Sequence, residues 1–215
     1  MNGLSKYYIR KIINCFSTEL TATETSKKLK INRNTVNKYY RIIRGAIVNY
    51  QEIQQQIQSD SNTSKKYYFS WHKNRGLIPD LQEGYPAFSL LIKNGRVYVQ
   101  KQATKKLLEQ LRNNEIEEPG EFNFGNYLLN TGLPPMPAHN SMSRGLAKTD
   151  IPSNYFVYAK EKLTKFYGVK EEYTYMYLKE LEFRFNNQGK DLSKLLWKIL
   201  PHHSAEWVRT SRHRR

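Results

Sequence analysis

Apolar positions recur at helical spacing through the first fifty residues. Leu4, Tyr8, Ile12, Phe16 and Leu20 stand four apart, with Ile9 and Ile13 alongside, which predicts a helix whose apolar stripe closes a small core. Thr23 is placed to cap a short second helix, in which Ser26 is small enough for another helix to approach and Leu29 points inward. Lys30-Ile31-Asn32 reads as a turn, and Asn32 as the cap of a third helix. There Val36, Tyr40, Ile43 and Ile47 are spaced four, three and four, while Arg33, Asn34, Asn37, Lys38, Arg41 and Arg44 are assigned to the other side. Lys30 stands where such turns usually carry glycine, a mildly costly choice if its φ is positive.

Beyond Val48 the pattern changes. Asn49 to Ser64 is polar and rich in Gln and Ser, a helix tail running into a linker, with the boundary near Ser59 to Ser64. Lys66–Trp71, Ala87–Ile92 and Arg96–Gln100 have the composition of strands, and Asn94-Gly95 between the last two signals a hairpin. Ala103 to Asn113 has helical spacing, and Glu115 to Glu121 is an acidic loop. Thr131 to Ser153 holds Pro134, Pro135, Pro137 and Pro152, which excludes a long regular element and predicts loop. Asn154–Phe166, Glu171–Asn186 and Leu192–Leu200 return to helical spacing.

Charge sharpens this picture. Against 19 Asp and Glu stand 35 Lys and Arg, a formal net charge of +16, which favours a polyanionic partner. Residues 1–48 alone hold ten Lys or Arg and two Glu, so the N-terminal helices are the basic module. A membrane surface is set aside because no apolar run is long enough to span a bilayer and no basic amphipathic stretch opposes bulky apolar residues. Cys15 is the only cysteine, which leaves no disulfide or zinc ribbon and makes it core filler. The start of the chain lacks the continuous apolar segment of a signal peptide, so a cytoplasmic, nucleoid-associated location is expected.

The capped turn and the one-sided Arg, Asn and Lys set suit a major-groove reader. Arg and Lys donate to guanine O6 and N7, Asn bridges adenine N6 and N7, and Arg41 and Arg44 further along would touch phosphate. An ordinary amphipathic helix with a solvated charged face is the plainer alternative. His202, His203 and His213 lack a cysteine or carboxylate at ligand spacing, so no metal is assigned. Tyr173, Tyr175 and Tyr177 cannot form one stacking platform on a helix, and most of the sixteen tyrosines are expected in the core or an interface.

The C-terminal third carries a further pattern, in Ala159-Lys160, Leu163, Gly168, Tyr177-Leu178-Lys179-Glu180 and Phe183-Arg184-Phe185-Asn186-Asn187. With weaker matches at Tyr68-Phe69, Lys93 to Tyr98 and His139, it resembles the bacterial Merlin-like insertion-sequence transposases. That resemblance implies an RNase H-like domain whose acidic residues hold two Mg²⁺ ions around a scissile phosphate. At the implied positions this chain has Lys65, the window around Asn123, and Ser153, with no Asp between Asp80 and Asp150. An ammonium at Lys65 repels a divalent cation. The domain therefore reads as catalytically degenerate, with no cofactor.

The expected protein is α+β or α/β: a three-helix helix-turn-helix domain at 1–58, a linker at 59–66, a reduced RNase H-like domain at 67–200 with a helical C-terminal third, and a basic tail at 201–215. It is expected to bind double-stranded DNA in a regulatory or architectural role without strand transfer, and a homodimer would suit paired half-sites. Two alternatives stand beside it. One is an active Mg²⁺-dependent transposase using Asp60, Glu121 or Asp150 in a shifted register; the other is a module that binds RNA or recruits a protein.

Overall fold

The computed structural model describes residues 4–57, 66–72, 76–78, 81, 83–113, 151–163 and 169–203. Among them the chain forms α1 (Lys6–Ser17), α2 (Ala22–Leu29), α3 (Arg33–Ile57), β1 (Lys66–His72), β2 (Gly76–Ile78), β3 (Ala87–Lys93) and β4 (Arg96–Gln102). These are followed by α4 (Thr104–Arg112), α5 (Ile151–Leu163), α6 (Glu171–Asn186) and α7 (Leu192–His203). The architecture is α+β: three N-terminal helices, a four-stranded antiparallel sheet, then C-terminal helices.

The chain divides into two compact units, Met1–Ser61 with Tyr173–Arg215, and Asn62–Glu172. This departs from the expected single domain at 67–200, because α6 and α7 return to the N-terminal helices. The reason lies in α3, which buries not only Val36, Tyr40, Ile43 and Ile47 but also Tyr39, Ile42 and Ala46. Its apolar surface is wider than α1 and α2 need, and Phe183 of α6 with Leu196, Ile199 and Leu200 of α7 join the same core. Of the expected linker at 59–66, residues 59–65 lie outside the described residues, and Lys66 already opens β1. Of the expected tail, residues 201–203 close α7 and the rest lie outside the described residues.

In the first unit, α1 buries Ile9, Ile12, Ile13, Cys15 and Phe16, whereas Tyr8, expected in the stripe, is exposed. The cap of α2 is Thr21 and not Thr23. Thr21 accepts a hydrogen bond from the Glu24 backbone N–H at 3.2 Å while its own N–H donates to Glu24 Oε2 at 2.7 Å. This reciprocal box satisfies two of the N–H groups a helix start leaves orphaned, and Thr23, inside α2, has no such partner three residues on.

In the second unit the strand order is β2-β1-β3-β4, all antiparallel. Successive side chains on a strand point to opposite faces, and both faces of β1 are covered. Tyr68 packs with Ala87 and with Leu107 of α4, while Phe69 stacks on Phe88 and meets Phe156 of α5 edge-on. The Thr104 hydroxyl accepts from the Ala87 N–H at 3.1 Å and donates to the Tyr85 carbonyl at 3.0 Å, tying the start of α4 to the start of β3. At the β3–β4 hairpin Asn94 and Gly95 take φ values of 50° and 72°, the left-handed pair that a two-residue turn needs and that Asn-Gly tolerates. The short β2 has no counterpart among the expected strands. Helix α5 begins at Ile151, inside the stretch expected as loop, because Pro152 sits in the first turn, where a missing N–H costs nothing.

Candidate nucleic-acid interface

Local chemistry fixes how α3 is presented. Lys30 adopts φ 53° and ψ 43°, and its N–H and that of Ile31 both reach the Ser26 carbonyl, the latter at 3.2 Å. The Ser26 hydroxyl donates back to the Ile31 carbonyl at 2.6 Å, so the small side chain at this position also clasps the turn. Asn32 caps α3 as expected, its Oδ1 accepting from the Asn34 N–H at 2.8 Å.

Tyr40 ties α3 to the two helices before it. Its hydroxyl donates to the Leu20 carbonyl at 2.8 Å, so the Thr25 hydroxyl, 2.7 Å away, must donate to Tyr40. Burial pushes the Tyr40 phenol up to about 12, which keeps it neutral and able to make both bonds. Its ring meets Phe16 of α1 edge-on at 5.0 Å.

Against that support, Arg33, Asn34, Asn37, Lys38 and Arg41 are all exposed, a polar set confined to the first half of α3. The Arg41 guanidinium lies 5.5 Å from the centre of the Tyr173 ring, which restricts it without covering it. These side chains present several donors, and the two Asn amides also accept, so the face can pair with base edges and with phosphate oxygens.

Arg44 does not belong to this face. It is buried, and its Nε donates to Glu180 Oε2 at 2.6 Å while its guanidinium sits 4.1 Å from the Tyr177 ring centre. Glu180 is also held by Arg184, whose Nε donates to Oε1 at 2.9 Å and whose terminal nitrogens reach the Phe16 and Ser17 carbonyls at 2.6 and 3.2 Å. Burial alone would raise the Glu180 carboxyl, but the two guanidinium groups outweigh it and hold it below the ordinary glutamate value. Arg184 thus bonds two carbonyls at the end of α1, of which the Phe16 carbonyl also accepts from the Glu19 N–H at 3.0 Å.

A second buried set lies beside the first. Lys179 Nζ and Glu182 Oε2 pair at 2.8 Å with both side chains fully buried, and Gln51 Nε2 donates to Glu182 Oε1 at 2.6 Å. The Tyr175 hydroxyl donates to Glu52 at 3.0 Å, and burial, with the carboxylate beside it, raises its pKa. The acids Glu180 and Glu182 of α6 are therefore spent inside the unit and do not offset the cations on its surface. No family model, curated protein or solved structure matches this chain.

The three tyrosines of α6 thus line an interface, as expected, and the segment Tyr177 to Asn187 supplies packing and buried ion pairs. Lys65 and Asn123 lie outside the described residues, as do Asp60, Asp80, Glu121, Asp150, His139 and His213. Ser153 is in the first turn of α5, its side chain outside the described residues. His202 is exposed near the end of α7, and among the described residues no three His, Cys, Asp or Glu side chains come together to hold a metal ion. No helix among the described residues is long and apolar enough to cross a membrane.

Proposed function

We propose that this chain binds duplex DNA, with α2, the turn at Lys30 to Asn32 and α3 acting as a helix-turn-helix whose third helix enters the major groove. The observation that carries the reading is the exposure of Arg33, Asn34, Asn37, Lys38 and Arg41 on one side of α3, while the opposite side is locked into the core. Arg33, Asn34, Asn37 and Lys38, near the helix start, are the base readers, and Arg41 a turn later contacts phosphate. Arg44 is withdrawn from the DNA-contacting set.

We further read the chain as transposase-derived and without strand-transfer chemistry, serving as a repressor or architectural factor at sequences like transposon ends. Support comes from the resemblance of Tyr177 to Asn187, and from β1 and the Asn94-Gly95 hairpin standing where that resemblance implies a first core strand and a following hairpin of an RNase H-like domain. Lys65, Asn123 and Ser153 in place of carboxylates support the loss of the metal site.

The test is selection from a random duplex pool, followed by affinity measurements on the enriched site, a scrambled duplex and an RNA hairpin. An enriched motif bound at least about tenfold more tightly than the scrambled duplex is expected. Equal binding of RNA and DNA overturns the reading, and cleavage of the selected site with Mg²⁺ or Mn²⁺ overturns its non-catalytic part.

A further inference from the structure

A second cationic surface lies where α1 meets α7, apart from the exposed face of α3. At the rim of that junction Arg10 lies 5.3 Å from the Trp197 ring centre, and the Ser193 hydroxyl donates to Asn14 Oδ1. Lys6, Arg10 and Lys11 on α1 and Lys194 and Lys198 on α7 are exposed. The carboxylate that the start of α7 brings to this region is Asp191, just before its first turn, and it is engaged by Lys194 at 3.4 Å.

The aromatic residues here serve the cations. Lys11 lies 5.5 Å from the centre of the Tyr7 ring, Tyr8 meets that ring at 78°, and the Trp197 ring carries Arg10. A ring that carries a cation positions its charge, so Trp197 and Tyr7 hold Arg10 and Lys11 where they can meet phosphate. A solvated face of mixed sign is the ordinary arrangement on a helix surface; here α1 and α7 carry no Asp or Glu of their own, and Asp191 offsets Lys194 alone.

We propose that this α1–α7 surface, centred on Arg10, Lys194 and Lys198, is a second DNA-binding face that grips the sugar-phosphate backbone without reading sequence. It rests on the duplex-DNA reading above. The partner is the regular anionic backbone of a duplex, because the cations are spread over two helices and Asn14, the amide one turn from Arg10, has its oxygen engaged by the Ser193 hydroxyl.

The experiment uses the full chain and a fluorescein-labelled duplex of scrambled sequence, titrated from low to high KCl. R10Q/K194Q/K198Q is expected to reduce the slope of log affinity against log salt by about two to three, near 0.9 for each phosphate that is no longer neutralised, and to weaken binding ~10- to 100-fold at low salt. The preference for a selected site over the scrambled duplex stays as in the parent chain. K194E/K198E, which leaves the Arg10–Trp197 pair intact, is expected to do the same, so a folding defect in the triple variant does not decide the matter.

An unchanged salt slope in both variants overturns the proposal, as does a loss confined to binding of phosphatidylglycerol vesicles. Loss of site preference in K194E/K198E overturns it too, since the surface would then be reading bases. If the parent chain binds no duplex at all, the reading of α3 falls and takes this inference with it; if the parent binds and both variants bind equally well, only this inference falls.

Discussion

Arg44 and Glu180, 136 positions apart in the chain, form a buried ion pair at 2.6 Å that joins α3 to α6. Desolvating two charges is repaid only when both are fully bonded, and Arg184 completes the set by holding the second carboxylate oxygen. Removing Arg44 therefore leaves a buried carboxylate with one fewer guanidinium beside it. Arg44→Ala is expected to lower unfolding stability by ~3–5 kcal/mol, while the folded fraction keeps its preference for a selected DNA site. Denaturant unfolding and binding to selected and scrambled duplexes measure both. A small stability loss with uniformly weakened DNA binding would return Arg44 to the phosphate-binding role that its spacing suggests.

The same carboxylate sets an acid limit. Its folded pKa is lowered, so its contribution is fully present above the ordinary glutamate value and is lost as pH falls through the folded one. Unfolding stability is expected to decline as pH drops below about 4. In Glu180→Gln that decline is shallower, and stability near neutral pH is lower because two guanidinium groups lose their counter-charge. Melts across the acid range in the two proteins compare the slopes; parallel slopes would assign the acid sensitivity to other carboxylates.

Much of the fold is legible from spacing. The helix at Glu171–Asn186 and the Asn94-Gly95 hairpin follow from local pattern alone, since both are decided by neighbours in the chain. One correction is also local: Thr21 stands three residues before Glu24, a visible capping-box signature. The burial of Arg44 is not, since its spacing of eleven from Arg33 and seven from Asn37 sets it with the polar side. What spacing does not encode is the partner: the return of α6 and α7 to α3, and the pairing of Arg44 with Glu180, are long-range outcomes of burying a wide apolar surface.

On the proposed interface, the exposed residues of α3 are expected to separate into two classes. Arg33→Ala, Asn37→Ala and Lys38→Ala each cost ~1–3 kcal/mol on a selected site and relax its sequence preference, because each removes a base-edge partner. Arg41→Ala weakens selected and scrambled duplexes alike. Affinities for both duplexes at one salt concentration distinguish the classes; equal effects at all four positions would argue for an electrostatic surface without base reading.

The α2 cap offers a test of local stability. Thr21→Ala removes the hydroxyl half of the exchange with Glu24, leaving the Glu24 N–H without its acceptor at the start of an eight-residue helix. The expected cost is ~0.5–2 kcal/mol. Thr23→Ala, at an exposed position inside α2, is expected to stay within ~0.5 kcal/mol of the parent. Similar costs for the two would move the cap back to Thr23.

Lys30 carries the opposite expectation. It ends α2 at φ 53°, where a Cβ crowds the following carbonyl and glycine is the usual occupant. Nothing else about the side chain is demanded by the turn, whose bonds run from the Lys30 and Ile31 N–H groups to Ser26 and from the Ser26 hydroxyl to Ile31. Lys30→Gly relieves the crowding, and the extra freedom glycine brings to the unfolded chain offsets part of the gain, so a net stabilisation of ~0.5–1 kcal/mol over the parent is expected. Lys30→Ala removes the same charge but keeps the Cβ, and should leave stability close to the parent's. The difference between the two variants in denaturant unfolding isolates the backbone strain from the charge. If alanine stabilises as much as glycine does, repulsion among the neighbouring lysines, and not the left-handed turn, is what Lys30 costs this fold.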